Sequence, residues 1–293
     1  MLRFDRIDTA AVSGTTQPAG VRPAAVAGLF YPQDPQALRC MLEDCLATAA
    51  QADPAASVEA MPGRNVRPKA LIAPHAGYVY SGSIAACAYR TLVGHAIRRV
   101  VLIGPSHFVP FRGLALPRTE AFETPLGVVP IDETARRDLL GIQHVVATDA
   151  PHAREHSLEV QLPFLQVLLG EFTVLPIAAG DATAEEVAAV LECAWDNAHT
   201  LILVSSDLSH YLDYAAARRT DGATSEAILN YSTALDGEQA CGYVGINGLM
   251  HTARQRRLQV RRLDLRNSGD TTRERSRVVG YGAFALYEGE GRP

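Results

Sequence analysis

The chain reads as an α/β protein: a single domain with a central, mostly parallel or mixed sheet flanked by helices. Three observations point there. Short apolar runs of Val, Ile and Leu, bounded by Gly, Pro or Ser, recur along it as buried strands do. Helix-patterned segments alternate with those runs, the order expected of an α/β sheet. Three of the runs also stop just before a potential ligand: 70–74 leads to His75, 99–106 to His107, and 200–206 to Asp207 and His210. Ligands of open α/β sheets sit at the carboxyl ends of the strands, so this shared phase could bring imidazoles together. The 293 residues, 47% hydrophobic, can bury a sizeable core.

Residues 1–25, rich in Ala, Thr, Gly and Pro, are expected to form a flexible N-terminal arm, leaving 26–293 as the domain. A helix over 34–49 has Asp34 as its cap, Pro35 in its first turn and Leu38, Met41, Leu42 and Leu46 on one face. A polar loop over 51–67 leads to the first strand, 69–73. A helix over 83–93 and a strand over 98–103 follow. The stretch 108–131, which includes Thr124-Pro-Leu-Gly, reads as short antiparallel strands. Helices are expected over 133–140 and 157–169, the second kinked by Pro163 or shorn of its first turn. A strand over 172–177, a helix over 184–197 and a strand over 201–204 continue the alternation. Helices over 215–231, which Gly222 could break, and 244–257 precede a closing strand over 279–287.

The formal charge of −5 argues against a nucleic-acid partner. The basic cluster Arg254, Arg256, Arg257, Arg261 and Arg262 reads as a solvated face between a helix end and a strand start. Five cysteines at long spacings, without a C-x-x-C pair, fit a reducing compartment. The first twenty residues lack a signal-type apolar core, and no apolar run nears the ~18 residues of a membrane span. A cytoplasmic location without membrane contact is therefore expected. No G-x-G-x-x-G with a following ribose-binding acid, no Walker loop and no G-x-S-x-G elbow occurs, so the common nucleotide-binding and serine-hydrolase classes drop out.

His75 sits in Pro74-His-Ala-Gly-Tyr78 and His107 in Gly104-Pro-Ser106-His107, both at strand ends. Alone, each reads as a hydrogen-bonded turn histidine; at matching junctions, the two point to a metal or catalytic role. Asp207 and His210 are three apart and would face one another if the turn were helical, the carboxylate raising the basicity of the imidazole. The same Ser and Asp could equally cap a helix. Cys241, before Gly242 and a helix, is either a thiolate favoured by the helix dipole or a small buried cysteine. His152 and His156 have i,i+4 spacing in a segment that also looks like a loop.

The segments 72–78, 104–107, 124–127, 155–164 (Glu-His-Ser-Leu-Glu-Val-Gln-Leu-Pro-Phe), 205–210 (Ser-Ser-Asp-Leu-Ser-His) and Cys241-Gly242 resemble, in order, the Memo family, also called AmmeMemoRadiSam system protein B. The family is similar in fold to class III extradiol ring-cleavage dioxygenases, which hold iron(II) with two histidines and a glutamate. The resemblance implies His75, His107 and Cys241 as ligands of iron(II) or copper and His210 in the acid–base position, where the spacing reading makes Asp207 its partner. His156, Tyr78 and Ser106 are further pocket candidates. A thiolate in place of the carboxylate makes ring cleavage doubtful while leaving metal binding open. The resemblance thus implies a metal-binding, redox-type protein: if an enzyme, a non-haem metal-dependent oxidoreductase. It also implies association with a radical SAM/AMMECR-type system. The alternative is a non-catalytic binding module that recognises an anionic or phosphorylated ligand on the same fold.

Overall fold

The computed structural model describes residues 20–51, 66–195 and 199–289. In chain order the elements are β1 (Val21–Arg22), α1 (Pro35–Gln51), β2 (Ala70–Ala73), α2 (Tyr78–Tyr89), β3 (Arg99–Pro105), β4 (Leu114–Leu116), β5 (Ala121–Thr124), β6 (Gly127–Pro130), α3 (Glu133–Leu139) and β7 (Val145–Ala147). Then come α4 (Leu162–Leu169), β8 (Thr173–Ala179), α5 (Ala184–Ala194), β9 (Thr200–Ser205), β10 (His210–Leu212), α6 (Tyr214–Leu229), α7 (Tyr243–Arg256), β11 (Leu258–Asn267), α8 (Ser268–Thr271) and β12 (Val278–Glu288).

Nine strands form one mixed sheet in the order β10-β12-β2-β9-β3-β8-β4-β7, with β11 also paired to β12. Its centre, β2-β9-β3-β8, is parallel; β12 joins β2, and β4 joins β8, in antiparallel sense. The uninterrupted apolar runs follow from burial on both faces. In β2, β3 and β9 alternate residues enter opposite cores. Leu71, Leu102 and Leu203 pack with Leu38 of α1, Ile84 of α2 and Phe164 of α4, whereas Ile72, Ile103 and Val204 pack with Val187 of α5, Ile228 of α6 and Leu249 of α7. A smaller sheet pairs β5 with β6 in the expected antiparallel hairpin and adds β1 in parallel.

Four expectations need correction. Most of the expected arm lies outside the described residues, but its last six, 20–25, are not loose. Arg22 is 3% exposed, donates to Glu159 Oε2 at 2.5 Å and also bonds the carbonyls of His152 and Glu155. The helix expected over 83–93 starts at Tyr78 instead, directly after the His75 turn. Gly222 does not break α6, which runs through it. Finally, the segment after β9, where a helical turn would have set Asp207 facing His210, is not helical: it leads by a loop into β10. At Pro163 a short 3-10 turn over Glu159–Gln161 precedes α4, so the first turn is split off as the proline requires.

Candidate metal centre

The parallel trio β2-β9-β3 ends on one edge, and each strand delivers its side chain two residues past its last residue: His75 after Ala73, Asp207 after Ser205, His107 after Pro105. The ring centroids of His75 and His107 are 5.2 Å apart. The third imidazole comes from outside the sheet. His156, in the loop before α4, stacks on His107 at 4.6 Å and meets His75 edge-on at 5.4 Å. One nitrogen from each of His75, His107 and His156 lies within 4.8 Å of the other two. Cys241 Sγ lies beside this trio of imidazoles, 3.3 Å from His75 Nε2.

Two glycines make the approach possible. A Cβ on Gly242 would stand 2.5 Å from the Ser205 carbonyl oxygen, so only glycine lets the Cys241 loop reach the end of β9. A Cβ on Gly104 would sit 2.9 Å from Ser157 Oγ, closing the space through which the His156 segment meets β3. Ser157 Oγ donates to the Pro105 carbonyl and ties that segment down.

The cluster is graded in exposure. His75 is 1% exposed, while the His107 side chain is 27% exposed. Burial, reinforced by the His107 ring, holds His75 well below the usual imidazole value. Burial and then His75 push His156 down to about 4. Both rings are therefore neutral near pH 7, the form in which imidazole ligates a metal. Burial alone would raise Glu155. Its hydrogen bond from His107 and the N–H groups of Ser157 and His107 outweigh that and hold it at about 2.

Of the two readings of Cys241, the structure favours the buried thiol over the dipole-stabilised thiolate. Burial, followed by the Asp207 carboxylate, raises the thiol. Without a cation the group is a thiol; a bound metal would remove its proton outright. The Asp207–His210 facing also changes. With no helical turn between them, Asp207 Oδ1 instead accepts from the backbone N–H of His75 at 2.7 Å and of Ala76 at 3.3 Å. Burial raises this carboxyl, opposed by the His75 N–H and by the positions of His210 and His156. His210 opens β10 at the rim, half-buried.

Among the remaining candidates, Tyr78 lies in the core, 3% exposed, its hydroxyl donating to the Val160 carbonyl at 2.6 Å. Ser106 bonds the Val109 carbonyl and lines a cavity of about 250 Å³ with Cys241 and residues 242–245 at the start of α7. His152 separates from His156. It is buried, bonded through Nε2 to the Ala115 carbonyl and set edge-on to Phe122, so their i,i+4 spacing does not make a site. Residue types and spacing did not reveal Glu155, Ser205 and Gln161, which surround the imidazoles. Their only signal is membership of the 155–164 and 205–210 segments.

A mixed α/β sheet that gathers three imidazoles and a thiol at the carboxyl edge of its parallel strands defines a protein with a candidate transition-metal site. A family model described as Memo-like protein matches residues 22–285. The chain is 35% identical over 283 residues to a MEMO1 family protein of Thermotoga maritima, covering 91% of this chain and 99% of that one. It is 32% identical over 281 residues to a MEMO1 family protein of Nitrosopumilus maritimus, covering 90% and 98%. The chain belongs to the Memo family.

Proposed function

We propose that this protein binds iron(II) or copper at His75, His107 and Cys241, with His156 as a third imidazole, and that it acts as a redox-type protein. The observation that carries this is the approach of the three imidazole nitrogens to within 4.8 Å, with a sulfur 3.3 Å from His75 Nε2. The donor chemistry fits: neutral imidazoles suit iron, copper and zinc, and thiolate suits the softer of these. A bound ion would supply one-electron chemistry or Lewis acidity at this edge. The chain's own part is to present His75 and His107 just past two strand ends, to bring His156 and Cys241 to them from the loops before α4 and α7, and to keep one side of the cluster dry through His75. In this reading His210 would carry a proton between solvent and a bound ligand. A dioxygenase-like relationship would make the activity that of a non-haem metal-dependent oxidoreductase.

Anaerobic iron(II) titration tests the reading. Wild type should bind one equivalent, and His107→Ala should bind at least tenfold more weakly. Equal binding by both would end it. A second reading rests on the cavity at Ser106 and the start of α7, where backbone N–H groups favour anions. Calorimetric titration of the metal-free protein with inorganic phosphate addresses it, and absence of heat at millimolar phosphate would remove it.

A further inference from the structure

The hydrogen bonds behind His75 leave its proton only one place. Ser205 Oγ has three polar neighbours: the Ser157 carbonyl at 2.6 Å, Gln161 Nε2 at 2.8 Å and His75 Nδ1 at 2.8 Å. A hydroxyl has one proton and two lone pairs. The carbonyl can only accept, so it takes the hydroxyl proton. The Gln161 amide is oriented by its other contacts, Nε2 donating to the Pro74 carbonyl at 3.0 Å while Oε1 accepts from the buried Tyr89 hydroxyl. Gln161 Nε2 therefore donates to Ser205. The remaining lone pair of Ser205 must receive an N–H from His75 Nδ1. Nε2 of that ring is left bare, facing Cys241 Sγ.

His107 is constrained by a different group with the same result. Glu155 gathers the backbone N–H of His107 at 2.6 Å, of His156 at 2.9 Å and of Ser157 at 2.9 Å, and its Oε1 lies 2.9 Å from His107 Nδ1. A carboxylate surrounded by N–H donors can only accept, so Nδ1 of His107 carries a proton toward it.

We infer that Ser205 and Glu155 are positioning residues that fix His75 and His107 in the Nδ1–H tautomer, with Tyr89 and Gln161 holding Ser205 in its accepting role. Nε2 is then the nitrogen both rings present to the centre before any ion arrives. The purpose of this pre-orientation rests on the metal reading above, but the tautomers themselves do not. Residues of this kind commonly alter metal affinity by about 10–100-fold.

Long-range proton–nitrogen correlation spectra of the metal-free protein, ring-labelled with ¹⁵N at pH 8, test it directly. Both rings should show the Nδ1–H pattern, and an Nε2–H pattern in either would overturn the inference. Ser205→Ala should shift His75 toward Nε2–H and weaken cobalt(II) binding roughly 10–100-fold by the d–d bands. Ser205→Thr, which keeps the hydroxyl, should restore both. Glu155→Gln should weaken cobalt(II) binding to a similar degree. Ser205→Ala with an unchanged His75 pattern and affinity within twofold of wild type would also overturn it. If wild type shows both Nδ1–H patterns yet binds no cobalt(II), the metal reading falls and the tautomer assignment stands.

Discussion

Asp221 shows what one buried carboxylate costs away from the centre. It is 2% exposed; its Oδ1 accepts from the Ser209 backbone N–H at 3.0 Å, while Oδ2 has no hydrogen-bond partner among the described residues. Burial, partly offset by the Ser209 bonds, raises it from 3.8 to about 6. Between those values the folded chain binds more protons than the unfolded one. The penalty that this group places on folding is therefore complete above about pH 6 and is relieved as pH falls toward 3.8. Asp221→Asn keeps the Oδ1 acceptor and removes the charge. It should raise the melting temperature relative to wild type at pH 8, by at most about 3 kcal/mol of stability, and by much less at pH 4.5. An equal effect at both pH values would show that the charge is not the cause. The residue scale is also where legibility in the sequence was most uneven. His75 and His107 could be read because each directly follows an apolar run that must be a strand. Glu155 and Ser205 could not, because their roles depend on partners 48 and 130 positions away.

At the scale of elements, helix packing is close enough to exclude a methyl group. A Cβ on Gly248 of α7 would lie 2.2 Å from Val187 Cγ1 of α5, and both residues are buried. Gly248→Ala should cost about 1–3 kcal/mol in urea unfolding through overpacking. Adding Val187→Ala should recover part of that loss, so the double variant falls short of the sum of the two singles. The segment around β1 depends on a different contact. Glu159 is fully buried and accepts from Arg22, from the N–H groups of Ala25 and Val26 and from the Tyr31 hydroxyl. Arg22→Ala would leave that carboxylate without its cation, at a cost of about 3–5 kcal/mol by the same measurement. A loss under 1 kcal/mol would show that the N–H groups suffice. Capped and amphipathic helices such as α1 were legible because propensity, cap and apolar face agree. Arg22 was not: one arginine in an Ala- and Pro-rich stretch has no local signal, and its partner lies 137 residues on.

At the scale of the whole molecule, the sheet order turns three local patterns into one site. The runs ending at His75, Asp207 and His107 are far apart in sequence, yet β2, β9 and β3 lie side by side and parallel. The fold class was legible because burial on both faces writes continuous apolar runs. The strand order was not, since nothing local says that β9 inserts between β2 and β3. His156 joins from the loop before α4 and Cys241 from the loop before α7, so the donors come from segments on both faces of the sheet. An ion held this way would bind the folded chain and not the unfolded one, and so couple to global stability. At a free concentration 100 times its dissociation constant it should add about 2.7 kcal/mol. For a chain of this size that corresponds to a rise in melting temperature on the order of 5 °C. Calorimetric scans with and without iron(II) under anaerobic conditions should show that rise in wild type. His107→Ala should cut that rise to about half or less, each protein being compared with its own metal-free melting temperature. The same rise in both proteins would mean that the ion binds elsewhere on the molecule.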